Sequence, residues 1–223
     1  MKSIAYIVAL IFICILSFFL LKPDPNKIVI PDNLPWHIKH INNTTKVFDI
    51  ELERTTLAQV IALLGLDHEL AIIVDKDDDA ALEMYFSHFK SGPLKGKLIV
   101  GFDVNLDELM AMQEQAANQK YMASGSRQFF LSKTDLQIVQ TKVVSSLSYI
   151  PSVNLSEEVV IQRFGEPAEI IIETATTQHL LYPKLGLDIS LNEEAKEQFQ
   201  YVSPTSFYKL IKPLRQLQND QPL

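Results

Sequence analysis

Cysteine is almost missing from this chain. Cys14 is the only one among 223 residues, so no disulfide can close within one copy and no thiol nucleophile exists beyond the first segment. Glycine is scarce as well: seven residues supply neither a P-loop nor a dinucleotide-binding fingerprint. No Gly-x-Ser-x-Gly elbow occurs, which removes the usual mark of a serine hydrolase. Positive charge is the minority, with Lys+Arg 20 against Asp+Glu 27 and a formal net charge of −7. Such a chain has no general attraction for phosphate backbones, and binding to bulk nucleic acid is not expected. What is present is ordinary for a folded protein: 47% hydrophobic, 21% charged and 9% aromatic residues exclude wholesale disorder and a collagen-like repeat.

Ile4 to Leu21 carries no formal charge and is flanked by Lys2 and Lys22. A helix of that length covers about 27 Å, close to a bilayer core, so residues 1–21 are predicted to be a single-pass transmembrane anchor in contact with lipid. The run ends on Phe18, Phe19, Leu20 and Leu21, without the small residues of a signal-peptidase site. Phe12 and Ile13 before Cys14 likewise do not make a lipobox. Lys2 faces Lys22 and Lys27 across the span, a nearly balanced positive-inside signal. An N-terminal anchor before one acidic domain suits a bacterial inner-membrane protein with its folded part in the periplasm. Pro23, Pro25, Pro31 and Pro35 then predict an extended spacer over 22–45.

The remainder reads as one module used twice, found by placing Gly65 over Gly165. Leu57, Val60, Ile61 and Leu64 recur at the spacing of one helical face, and Val160, Ile161 and Phe164 match them. Thr56 and Ser156 are matching N-caps, and each glycine supplies a turn at the helix end. Three strands follow in each copy: Leu70–Val74, Leu82–Phe89 and Lys97–Val104, against Ile170–Glu173, His179–Tyr182 and Leu187–Leu191. Asn105 and Asn192 are then predicted to open polar helices, the first running to Gly125. Lys46–Leu52 and Val143–Ile150 are strand-like and could complete each sheet. The expected fold class is α+β: an N-terminal transmembrane helix followed by two similar helix/antiparallel-sheet modules at 46–125 and 142–212. A connector at 126–141 joins them, and a polar tail spans 213–223.

VVIQRFGEPAEIII followed by HLLYP resembles the short helix, Leu/Phe-Gly-x-Pro turn and tyrosine-bearing strand of small outer-membrane-assembly lipoproteins. Used in tandem, the unit is similar to the β-lactamase-inhibitor proteins, in which two copies present a concave sheet to a partner. The resemblance covers residues 156–191; in the first copy Gly65 is followed by Leu66 and Asp67 instead of a residue and proline. It implies binding to another protein and transfers no active residue.

Candidate chemistry is sparse. Asp75, Asp77, Asp78 and Asp79 lack the glycine and glutamate of an EF-hand, with Ala80 and Phe86 in those places, and read as a solvated turn. His37 and His40 have no obvious third ligand for zinc. Ser124-Gly125-Ser126-Arg127 could hold an anion, but a helix end accounts for the same residues. No catalytic, metal or cofactor residue is assigned. The candidate contact residues are aromatic and apolar: Met84, Tyr85 and Phe86; His179, Leu181 and Tyr182; and Tyr201, Phe207 and Tyr208. Alternate residues of a strand covered on one side face outward, where aromatics suit an interface. The leading expectation is an extracytoplasmic adaptor that contacts another envelope or inner-membrane protein through its sheet faces; self-association is a further candidate. The alternatives are an apolar pocket for a lipid and a hydrolase using His68 or His179.

Overall fold

A computed structural model describes residues 33–41 and 43–220. A small antiparallel sheet comes first, made of β1 (Lys39–Ile41), β2 (Thr44–Val47) and β3 (Ile50–Glu51). Helix α1 (Leu57–Leu64) leads into the meander β4 (Glu69–Val74), β5 (Ala80–Ser91) and β6 (Leu94–Phe102). Next come α2 (Leu106–Glu114), the hairpin β7 (Asn118–Tyr121) and β8 (Arg127–Phe130), α3 (Lys133–Ile138) and β9 (Val144–Pro151). The second half repeats the pattern with α4 (Glu157–Phe164), β10 (Glu169–Ile172), β11 (Thr177–Tyr182), β12 (Leu187–Asn192) and β13 (Gln198–Val202), and closes on α5 (Phe207–Asp220).

The two copies start and stop their first helix by the same local chemistry. Thr56 makes a capping box with Gln59, and Ser156 accepts from the Val159 amide. Gly65 (φ +91°, ψ −170°) and Gly165 (φ +83°, ψ −177°) share a backbone region open almost only to glycine. Each glycine amide donates to the carbonyl four residues back, Ile61 or Ile161, at 2.8 Å.

The two halves do not remain separate modules. They merge into one ten-stranded sheet of order β10-β11-β12-β13-β9-β6-β5-β4-β8-β7, antiparallel throughout. Without β8 and β7 the order is palindromic about the β9–β13 seam, as a two-fold axis through the sheet would make it. Helices α1 and α4 lie on one face, where Val60 and Val160 join a single core with Leu82, Met84, Leu98, Leu147, Ile189 and Phe199. Phe48, Phe89, Tyr149 and Tyr201 meet edge-on or tilted at the seam, with Phe48 5.1 to 5.8 Å from the other three rings.

Several expectations need correction. The anchor at 4–21 and residues 22–32 of the 22–45 spacer lie outside the described residues, and the rest of that spacer holds β1 and the start of β2. Among the described residues no helix is long and apolar enough to cross a membrane. The described residues show no membrane-spanning helix, and in place of two separate modules they form an α+β fold on one large antiparallel sheet. Lys46–Leu52 does not complete the large sheet. Phe48 and Asp49, both at positive φ, turn that segment into the β2–β3 hairpin. The helix expected to run to Gly125 ends at Glu114, because Asn118–Tyr121 pairs with β8. No helix follows Asn192 either: its side chain caps a tight turn by accepting from the Glu194 and Ala195 amides, and β13 follows.

Candidate functional site

Because strands alternate, each sheet residue is on one of two faces, and the face opposite α1 and α4 is treated differently in the two halves. The pairing register fixes the equivalent positions. In the first half Ala71 pairs with Glu83, which pairs with Gly101; Glu69 pairs with Tyr85, which pairs with Ile99. In the second half Ile171 pairs with His179, which pairs with Ser190; Glu169 pairs with Leu181, which pairs with Asp188.

In the second half this face is covered. Phe207, Ile211 and Leu214 of α5, at i, i+4 and i+7, pack on Ile171 and Leu181, with Val202 and Leu210 at the margin. Arg215 Nη2 lies 2.7 Å from Glu169 Oε2 and fixes the helix over β10. Pro213 lacks the N–H of a helix interior, so α5 depends on this packing more than on its own propensity.

In the first half no helix among the described residues lies on the same face, which forms a trough of about 630 Å³. Its floor is Ala71, Ile73, Glu83, Tyr85 and Ile99, and the tip of the β7–β8 hairpin overhangs it with Tyr121 and Met122, both exposed. That tip is a hairpin turn, not a helix end: the Met122 amide donates to the Ser126 carbonyl at 2.9 Å, with Gly125 at φ +90°. Gln128, buried on β8, reaches Glu69 Oε2 at 3.4 Å. Lys97 and Lys120 stand among the lining residues. Burial raises the pKa of Glu83 above the usual carboxylate value, and it makes no ion pair among the described residues.

The nine expected contact residues are scattered by this geometry. Tyr85 lies half-buried in the trough floor, whereas its neighbours Met84 and Phe86 point into the core. Leu181 and Phe207 are buried against each other beneath and within α5, while Tyr208 is 63% exposed. Tyr182 is buried, donates to the Gly165 carbonyl at 2.9 Å, and has its pKa pushed up to about 12 by burial and by the charges of Glu166 and Glu157. Tyr201 is fully buried, donates to the Pro35 carbonyl at 3.0 Å, and is held well above the ordinary phenol value by burial.

His179 is not arranged for nucleophilic catalysis. Nδ1 faces the buried Asp188 at 2.9 Å and Nε2 faces Glu173 at 3.3 Å, so a second carboxylate stands where a nucleophile would. Burial opposes the charged ring, but the hydrogen bonds and charges of Asp188 and Glu173 outweigh it and raise its pKa. His68 is a surface residue whose Nδ1 lies 3.2 Å from the Gly65 carbonyl. Asp75 turns its carboxylate to the Asp77 and Asp79 amides, both at 2.9 Å, which gives the aspartate run a local turn structure.

Sequence reasoning missed Ile73, Glu83, Ile99, Tyr121 and Met122. Glu83 had a signal: a carboxylate between Leu82 and Met84, within an apolar strand, must face outward into whatever covers that side. The hairpin residues had none, because their segment read as helix. No protein-family model, no curated protein and no solved structure matches this chain.

Proposed function

We propose that the protein is a binding module, an adaptor that holds another protein against the bare sheet face of its first half. One observation carries this reading: two halves of the same design differ in that one keeps a helix on this face and the other leaves its apolar floor open. Apolar floor residues, the aromatic Tyr85 and polar residues around them match the core and rim of a protein contact. Catalysis has no comparable support, since the one buried histidine is enclosed by carboxylates. The resemblance of residues 156–191 to outer-membrane-assembly lipoproteins directs the search for the partner to the cell envelope. The test is photocrosslinking in intact cells from a reactive side chain at Tyr85. A single envelope protein captured there, and not from buried Tyr182, is the expected result; no protein captured from Tyr85 ends the proposal.

A second reading is an apolar ligand such as a lipid in the same trough, favoured by its volume and by the half-buried Glu83, whose carboxyl resists ionisation. Native mass spectrometry of the purified chain distinguishes it by a co-purifying mass.

A further inference from the structure

Resting on the protein-binding reading above, we infer that the trough receives an amphipathic helix of the partner. That helix carries apolar side chains at the i, i+4, i+7 spacing of Phe207, Ile211 and Leu214, and a basic residue directly after the last.

The molecule supplies the template. Glu69, Ala71, Tyr85 and Ile99 are the register equivalents of Glu169, Ile171, Leu181 and Asp188, and in the second half those four positions underlie or adjoin α5. Arg215 pairs with Glu169; among the described residues the equivalent Glu69 has a 3.4 Å contact from the Gln128 amide and no ion pair. A guanidinium or ammonium arriving at the Arg215 position of a second helix would meet Glu69 on one side and Glu83 beneath.

Backbone accounting selects a helix over an extended peptide. At Tyr85 and Ile99 the floor strands use their amides and carbonyls within the sheet, β5 between β4 and β6 and β6 between β5 and β9, and Ile73 is paired on both sides as well, so these positions offer nothing to an added strand. A peptide lying extended on Ile73, Tyr85 and Ile99 would bury its own backbone groups without partners, whereas a helix satisfies its own.

The experiment uses the full chain and, as probe, a fluorescent synthetic peptide with the sequence of residues 203–220. Saturable binding is expected, weakened about tenfold by Glu69→Gln in the protein or by Arg215→Glu in the peptide. A photoreactive group at Tyr85 should capture the peptide. Ile99→Asp should abolish binding, with circular dichroism confirming that the variant is folded; Glu69→Gln, a conservative surface change, keeps the test decisive if it is not. Three results overturn the inference: no saturable binding, binding indifferent to both trough substitutions, or binding that reflects exchange with α5 and is captured from position 181 instead of 85. A cellular partner captured from Tyr85 but touching it through a strand or loop overturns the helix and leaves the adaptor reading standing. Absence of any cellular partner at Tyr85 ends that reading, and the inference falls with it.

Discussion

Glu69 and Glu169 hold the same place in the two halves of the sheet, and only Glu169 faces an arginine, the Arg215 of α5 at 2.7 Å. The difference reflects what is laid over each strand. Ile211, 7% exposed, sits in the middle of the α5 contact. Ile211→Ala should lower unfolding free energy by about 2 kcal/mol, the low end for a large apolar side chain cut back at a one-sided contact. Urea denaturation measures it. A loss below about 0.5 kcal/mol would mean that α5 is not held as described.

Stability should fall as pH rises through the titration of His179. Its folded pKa is raised, so the folded state binds the proton more tightly than the unfolded state, whose histidine titrates at about 6.5. The stabilisation is complete below that unfolded value and is lost as pH climbs through the higher folded value. Asp188→Asn should flatten this slope and bring the His179 titration down. Urea midpoints at pH values from about 5.5 to 8.5, with NMR titration of the ring, test it. A slope unchanged in Asp188→Asn would assign the effect to other groups.

Glu83 has the same sign with the opposite charge. Burial raises its folded pKa, so the neutral acid is favoured in the fold, and its contribution diminishes as pH rises from the unfolded value through the folded one. At neutral pH Glu83→Gln should therefore raise the urea midpoint. The same change should weaken the partner, since a cation would lose its counter-charge. A variant that is both less stable and equally well bound would contradict the placement of Glu83.

The helix-ending glycines make a paired prediction. At Gly65 and Gly165 a Cβ would meet nothing within 4 Å, so alanine costs only backbone strain, on the order of 2 kcal/mol at either site. At Gly186, φ +64°, a Cβ would run into the carbonyl of Val202, the residue whose amide donates to the Gly186 carbonyl at 2.8 Å. Gly186→Ala should cost more than the other two, and thermal unfolding of the three variants ranks them.

The repeat was legible because its marks are local. A capping residue, an apolar stripe and a glycine at a forbidden backbone angle each follow from nearby sequence, and Thr56/Ser156, Val60/Val160 and Gly65/Gly165 carry the three. The candidate site was legible only through Tyr85. The strand period puts Tyr85 on one face and Met84 and Phe86 on the other, but which face the helices cover is set by long-range packing that the run itself does not contain. Tyr182 and Tyr201 read as contact aromatics, but each buries its ring and donates a hydrogen bond from its hydroxyl to a distant carbonyl, a partner that no short window contains. Nor could spacing tell that α5 covers one half alone, since that depends on where the chain ends up after β13.

The approach to the domain has a mechanical consequence. Leu34 is buried, the Pro35 carbonyl takes the Tyr201 hydroxyl from β13, and Trp36 packs edge-on against Phe164 with Arg163 over its ring. Tension arriving along the chain ahead of Asn33 would therefore be delivered to the middle of the sheet, where β13 is gripped by a strand on each side. Edge strands peel one hydrogen bond at a time, whereas a load on a central strand must be resisted by both ladders together. The chain thus enters the domain through contacts to β5 and β13, both interior strands, and away from either edge of the sheet.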